Sequence, residues 1–153
     1  MKIELIRSSH SVGESNLHLQ FTPAFRKAVF EDELMRILVR DYFLAQAKLK
    51  GFEITAMGFG NDHVHLFVHN WKNFSIALLA KLLKGFTSRM MRKHHWNLFR
   101  KDLYGKKFWS AGYFYRTVGA VNAETVKRYV AESQDYRVQM KARQNTLLQF
   151  AVN

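Results

Sequence analysis

Two stretches of helical periodicity enclose a pair of strand-like segments, and this arrangement limits the fold of the chain more than any other feature. Residues 52–59 and 63–70 read as strands separated by Gly60-Asn61-Asp62, turn formers at hairpin spacing. Before them, residues 31–50 place Leu34, Leu38, Tyr42, Ala45 and Leu49 at helical intervals, with acids in the first turn, lysines in the last and Gly51 positioned as a stop. After them, residues 75–93 carry the stripe Ile76, Leu79, Leu83, Phe86 and Met90, with Lys81, Lys84, Ser88 and Arg92 on the other side. Two more strand patterns flank this unit. Leu17, Leu19 and Phe21 alternate with His18, Gln20 and Thr22 until Pro23 ends the run, and residues 108–119 are rich in Tyr, Phe, Val and Thr. Asn122 can cap a third helix over residues 123–140, with the seam Val126, Tyr129 or Val130, Ser133, Tyr136 and Met140. The order β, α, β, β, α, β, α predicts an α+β fold with helices packed on an antiparallel sheet, close to the ferredoxin-like plan.

One domain is expected across all 153 residues, with the stretch from about 141 to 153 as a C-terminal tail, because no repeat or Ser/Gly-rich linker interrupts the chain. A hydrophobic fraction of 48% with 13 Phe supplies ample core. The absence of Cys excludes a disulfide framework, a thiolate zinc site and cysteine catalysis, and fits a cytoplasmic protein. No membrane association is expected: the longest run without charge, residues 15–25, is too short and too polar to span a bilayer. Lys2, Glu4 and Arg7 put charge where a signal peptide would be apolar.

Lys and Arg total 24 against 12 Asp and Glu, a net charge of +12 that points to a polyanionic partner. Nine of those cations fall between Lys81 and Lys107 against the single acid Asp102, so 27 residues supply +8. His94, His95, Trp96, Phe99, Tyr104, Phe108 and Trp109 are interleaved with them. Cations that neutralise phosphates beside aromatics that stack bases suit single-stranded nucleic acid, with Lys81, Lys84, Arg89, Arg92 and Lys93 as candidate contacts. A solvated basic helix face over core aromatics accounts for the same composition.

The sharper feature is Asp62-His63-Val64-His65-Leu66-Phe67-Val68. Side chains at i and i+2 of a strand share a face, so His63 and His65 point together while Val64, Leu66 and Val68 point to the other side. Two imidazoles backed by an apolar row form a platform for a metal, with His69 a more distant addition; surface or packed histidines are the alternative. Such a platform needs a third ligand and a reactive group. Tyr129, with Glu132, Ser133 and Gln134 close by on the same predicted helix, offers both, although a tyrosine on an apolar seam can equally be a core residue. A phenol with a pKa of about 10 becomes a useful nucleophile when a metal polarises its target and cations stabilise its ionised form.

Taken together these blocks resemble the single-tyrosine transposases of the smallest bacterial and archaeal insertion sequences, the IS200/IS605 type with a histidine-hydrophobe-histidine (HUH) motif. Residues 62–67 are similar to that motif, residues 108–121 and 124–134 to the family's strand and nucleophile helix, and residues 10–30 and 81–89 to further parts of it in the right order. The resemblance implies an HUH endonuclease fold and a dimer that recognises DNA hairpins at element ends. It also implies a divalent cation, Mg²⁺ or Mn²⁺, bound by His63, His65 and a ligand from the tyrosine helix. Tyr129 would cut single-stranded DNA through a 5′-phosphotyrosine, without a nucleotide cofactor, and the freed 3′-OH would later rejoin strands.

One position departs from that pattern. The family places a Gln four residues after the tyrosine, one turn on, where this chain has Ser133. Gln134 is the right residue type but is rotated by about 100° on an ideal helix. Glu132 stays near the face and offers a carboxylate, which suits Mg²⁺. Three other readings fit parts of the sequence: a noncatalytic ferredoxin-like nucleic-acid-binding module, a domesticated nickase of repeat hairpins, and a metallohydrolase that activates water.

Overall fold

The computed structural model describes residues 6–7, 12–13, 16–103, 105, 107–118 and 128. Strands β1 (Ile6–Arg7) and β2 (Val12–Gly13) pair as a short antiparallel ribbon. Strand β3 (Asn16–Phe21) leads through two short 3₁₀ turns into helix α1 (Glu33–Lys50), followed by β4 (Glu53–Gly60), β5 (His63–His69), α2 (Ile76–Phe99) and β6 (Phe114–Thr117). The main sheet has the order β4-β5-β3-β6, with every neighbouring pair antiparallel. Strands β4 and β5 form the expected hairpin, Gly60 opposite His63 across a two-residue turn. Strand β5 lies between β3 and β4, and β3 between β5 and β6, which is the interleaving of two split βαβ units in the ferredoxin-like plan.

Period-2 alternation decides what each sheet face carries. Leu17, Leu19 and Phe21 of β3 and Val64, Leu66 and Val68 of β5 are all fully buried. They form one core with Met35, Val39, Phe43 and Ala47 of α1 and Leu79, Leu83 and Met91 of α2, so both helices cover that face. His18, Gln20, His63 and His65 consequently stand on the face the helices leave uncovered. Gly51 closes α1 as expected, at φ 90°, while the helix begins at Glu33 rather than Glu31, with the Asp32 side chain accepting from Leu34 N at 2.9 Å as its cap.

Three expectations are corrected. The sheet-facing row of α1 is Met35, Val39, Phe43 and Ala47, not the row through Leu49, which is 72% exposed. The two apolar rows lie side by side, and Leu34, Leu38 and Tyr42 occupy the flank; Tyr42 Oη sits 2.7 Å from His95 Nε2 of α2. In α2 the core row is Leu79, Leu83, Thr87 and Met91, with Phe86 and Met90 half-buried, and the helix runs on to Phe99 through a non-helical His95. Thr87 escapes an apolar pattern because it is a buried polar group with both needs met: its hydroxyl donates to Leu83 O at 2.8 Å and accepts from Trp109 Nε1 at 2.8 Å. The strand expected over residues 108–119 is confined to Phe114–Thr117. Phe108 and Trp109 are both buried, breaking the alternation, and Trp109 makes only an isolated bridge to Pro23. The third helix lies outside the described residues apart from Arg128, which is helical, and so does the predicted tail.

Candidate active site

The histidine pair is built by the first three residues of β5. The His63 and His65 rings have centroids 4.8 Å apart and planes at 84°. Each has its Nδ1 engaged. His63 Nδ1 lies 2.9 Å from Asp62 Oδ1, and Asp62 in turn meets Arg26 Nη2 at 3.4 Å. The hydrogen bond from His63, together with the Arg26 charge, holds the Asp62 carboxyl below its ordinary pKa. An ionised carboxylate only accepts, so His63 donates from Nδ1. His65 Nδ1 lies 2.9 Å from Nε2 of His18 on the neighbouring strand. Burial, and then the nearby His18 and His63, push the His65 pKa down to about 4, while burial and Arg116 lower that of His18. Both rings are therefore neutral near pH 7. Among the described residues, Nε2 of neither His63 nor His65 has a hydrogen-bond partner.

Gly60 makes room for this arrangement. A Cβ at Gly60 would overlap the His63 ring, standing 2.6 Å from Nδ1 and 2.7 Å from Nε2. Gly60→Ala should therefore turn the His63 imidazole while leaving the hairpin intact. On the expectation that His63 is a metal ligand, the result is a loss of divalent-metal affinity of ~10–100-fold, the range for disturbed support of a ligand, read by Mn²⁺ titration beside an unchanged far-UV spectrum.

Helix α2 lies across the sheet from the histidines, so its cations form a surface separate from theirs. Lys81, Arg89 and Lys93 are exposed there. Arg92 donates to Gly105 O at 3.0 Å and stacks on Trp96. Lys84 is a structural clamp: Nζ donates to the carbonyls of Ser110 at 2.7 Å, Ala111 at 3.3 Å and Gly112 at 2.9 Å, and burial lowers its pKa. It holds the segment that delivers β6. Lys84→Met should cost about 1–3 kcal/mol, as expected for hydrogen bonds to a charged group, seen as a lower urea midpoint. On the expectation that the exposed cations of this face bind DNA, its affinity should fall less than in a Lys81→Ala/Arg89→Ala double variant.

The family model described as "Transposase IS200 like" matches residues 11–133. This chain belongs to the IS200-like transposase family. It is 25% identical over 138 residues to the ISDra2 transposase TnpA of Deinococcus radiodurans, covering 88% of this chain and 95% of that one. A crystal structure of a D. radiodurans R1 protein described as a candidate transposase superposes with a TM-score of 0.66 at 24% identity, over 84% of this chain and 98% of that chain. A REP-associated tyrosine transposase bound to a REP hairpin superposes with a TM-score of 0.54 at 10% identity, over 81% of this chain and 70% of that one. The α+β sheet is thus the HUH fold of single-tyrosine transposases.

Within this IS200-like transposase, Tyr129, Glu132, Ser133 and Gln134 lie outside the described residues. Among the described residues no three His, Cys, Asp or Glu side chains are grouped to hold a metal, so a metal on the histidine pair would need a donor from elsewhere. His69 is not that donor: it stands at the far end of β5, with Nδ1 3.2 Å from Asn16 Oδ1. The two imidazoles otherwise fit a divalent cation, each offering an Nε2 with the opposite nitrogen oriented from behind. Sequence reading missed His18, Asp62 and Gly60 as supports, and Arg116 and Phe114, which share the histidine face through the register His18 with Arg116 and Gln20 with Phe114. Only Asp62 carried a signal, its adjacency to His63. No helix among the described residues is long and apolar enough to cross a membrane.

Proposed function

We propose that this transposase cleaves and rejoins single-stranded DNA at hairpin-bearing ends, with Tyr129 as nucleophile and His63 and His65 as metal ligands. The carrying observation is that both Nδ1 atoms are engaged, by Asp62 and by His18, while neither Nε2 has a hydrogen-bond partner among the described residues. The third ligand comes from the tyrosine helix, Gln134 by residue type or Glu132 by face. Mg²⁺ or Mn²⁺ held there would supply charge to polarise the scissile phosphate.

Tyr129 Oη then attacks phosphorus. A phosphorus–oxygen bond forms to the tyrosine as the bond to the 3′ oxygen breaks, leaving a 5′-phosphotyrosine and a 3′-OH. Attack by a 3′-OH reverses the step and frees the phenol, so no nucleotide cofactor is consumed. Lys81, Arg89 and Lys93 hold DNA on the helix side of the sheet, and Arg116 lies nearer the reacting strand. A hairpin-bound relative of the same fold supports hairpin recognition, and a homodimer lets one subunit's tyrosine helix meet either histidine pair.

The test is to mix the protein with single-stranded hairpin DNA and Mn²⁺ and resolve the products under denaturing conditions. A covalent protein–DNA adduct that EDTA prevents is expected. EDTA-insensitive binding without an adduct would instead show a noncatalytic binding module, and hydrolysed ends without an adduct a metallohydrolase. Flanking DNA with hairpins at both ends separates a mobile element from a domesticated nickase.

A further inference from the structure

His18 sits on β3, beside the histidine pair. Its ring stacks on His65 with centroids 5.1 Å apart and planes at 26°, and its Nε2 is the partner of His65 Nδ1 at 2.9 Å. A neutral imidazole carries one proton, on one of its two nitrogens. The bond between two neutral rings can therefore be filled in two ways. If His18 donates, the proton of His65 stands on Nε2, and that nitrogen has no lone pair for a cation. If His65 donates from Nδ1, its Nε2 is open and His18 keeps its own proton on Nδ1.

We infer that His18 is a positioning residue whose Nε2 accepts the Nδ1–H of His65 and holds His65 in the tautomer that binds metal. This rests on the metal role proposed for His63 and His65. Two further features support it. His63 has a carboxylate, Asp62, in the corresponding place, whereas among the described residues no carboxylate is bonded to His65, so His18 fills that position. The His18 ring is itself held in orientation by the edge-on contact of Phe114, at 5.7 Å and 67°.

Two measurements test the assignment. In ¹⁵N-histidine-labelled protein with Mg²⁺, long-range ¹H–¹⁵N correlations should show His65 protonated at Nδ1; protonation at Nε2 would overturn the inference. By calorimetry, His18→Phe should weaken Mn²⁺ binding ~10–100-fold, the usual cost of losing a ligand's supporting bond. His18→Gln, whose amide oxygen can accept from the same side, should recover most of the loss. Wild-type affinity in His18→Phe would overturn the inference, and the spectrum of the wild-type protein decides alone if that variant does not fold. His65→Ala separates the two levels. If it abolishes Mn²⁺ binding while His18→Phe does not, only the positioning role fails; if it binds Mn²⁺ normally, the metal platform fails and this inference with it.

Discussion

Tyr129→Phe should leave no covalent DNA adduct and cut strand cleavage by ~10³-fold or more, the scale seen when a nucleophile is deleted. The substitution removes one oxygen and keeps the ring, so any packing role of residue 129 survives. Metal affinity should stay at the wild-type level, because the proposed ligands are His63, His65 and a neighbour of the tyrosine. DNA affinity should also persist, since the phosphate contacts proposed for Lys81, Arg89 and Lys93 do not involve residue 129, and it should keep its steep decline with salt. A core tyrosine would behave in the opposite way: the adduct would persist. Cleavage that survives with free 5′-phosphate ends would assign the attack to water.

The fold was legible where local chemistry and burial agree. Gly51 ends α1, Gly60-Asn61-Asp62 turns the hairpin, and the alternation at Leu17, Leu19 and Phe21 matches their complete burial. It was illegible where tertiary contacts choose between equivalent local patterns. Nothing local distinguishes the Leu34 row of α1 from the Met35 row; contact with the sheet does. Lys84 reads as a DNA contact by spacing, yet three loop carbonyls claim its ammonium group. At the site, the shared face of His63 and His65 follows from strand geometry alone. The bond between His18 and His65 joins residues 47 apart in the chain and depends on the register that sets Gln20 against His65 and His18 against Phe67. That register comes from aligning two apolar rows in the core, so a core decision brings the site's supporting residue into place.

His63→Ala and His65→Ala should each abolish cleavage and lower Mn²⁺ affinity by at least ~100-fold, beyond the cost of disturbing a supporting residue. Each removes one of the two proposed nitrogen donors, and His69 is too far along β5 to replace it, being engaged by Asn16 at 3.2 Å with Phe67 between it and His65 in the strand. His69→Ala is therefore the control and should bind Mn²⁺ and cut DNA as the wild type does. The two active-site variants should differ in stability. His63 is half-exposed and bonded to its exposed-turn neighbour Asp62, so its loss should be almost neutral. Removing His65 takes a hydrogen-bonded, stacked ring from between His18 and His63 and leaves His18 Nε2 without its partner, so about 1 kcal/mol should be lost. Because the apolar faces of β3 and β5 are untouched, urea unfolding should remain cooperative in both. A stable, folded His65→Ala protein that still binds DNA but neither Mn²⁺ nor the phosphotyrosine step's product would place the histidines in the chemistry and the helix cations in the binding; retained Mn²⁺ affinity in both variants would remove the metal from this face of the sheet.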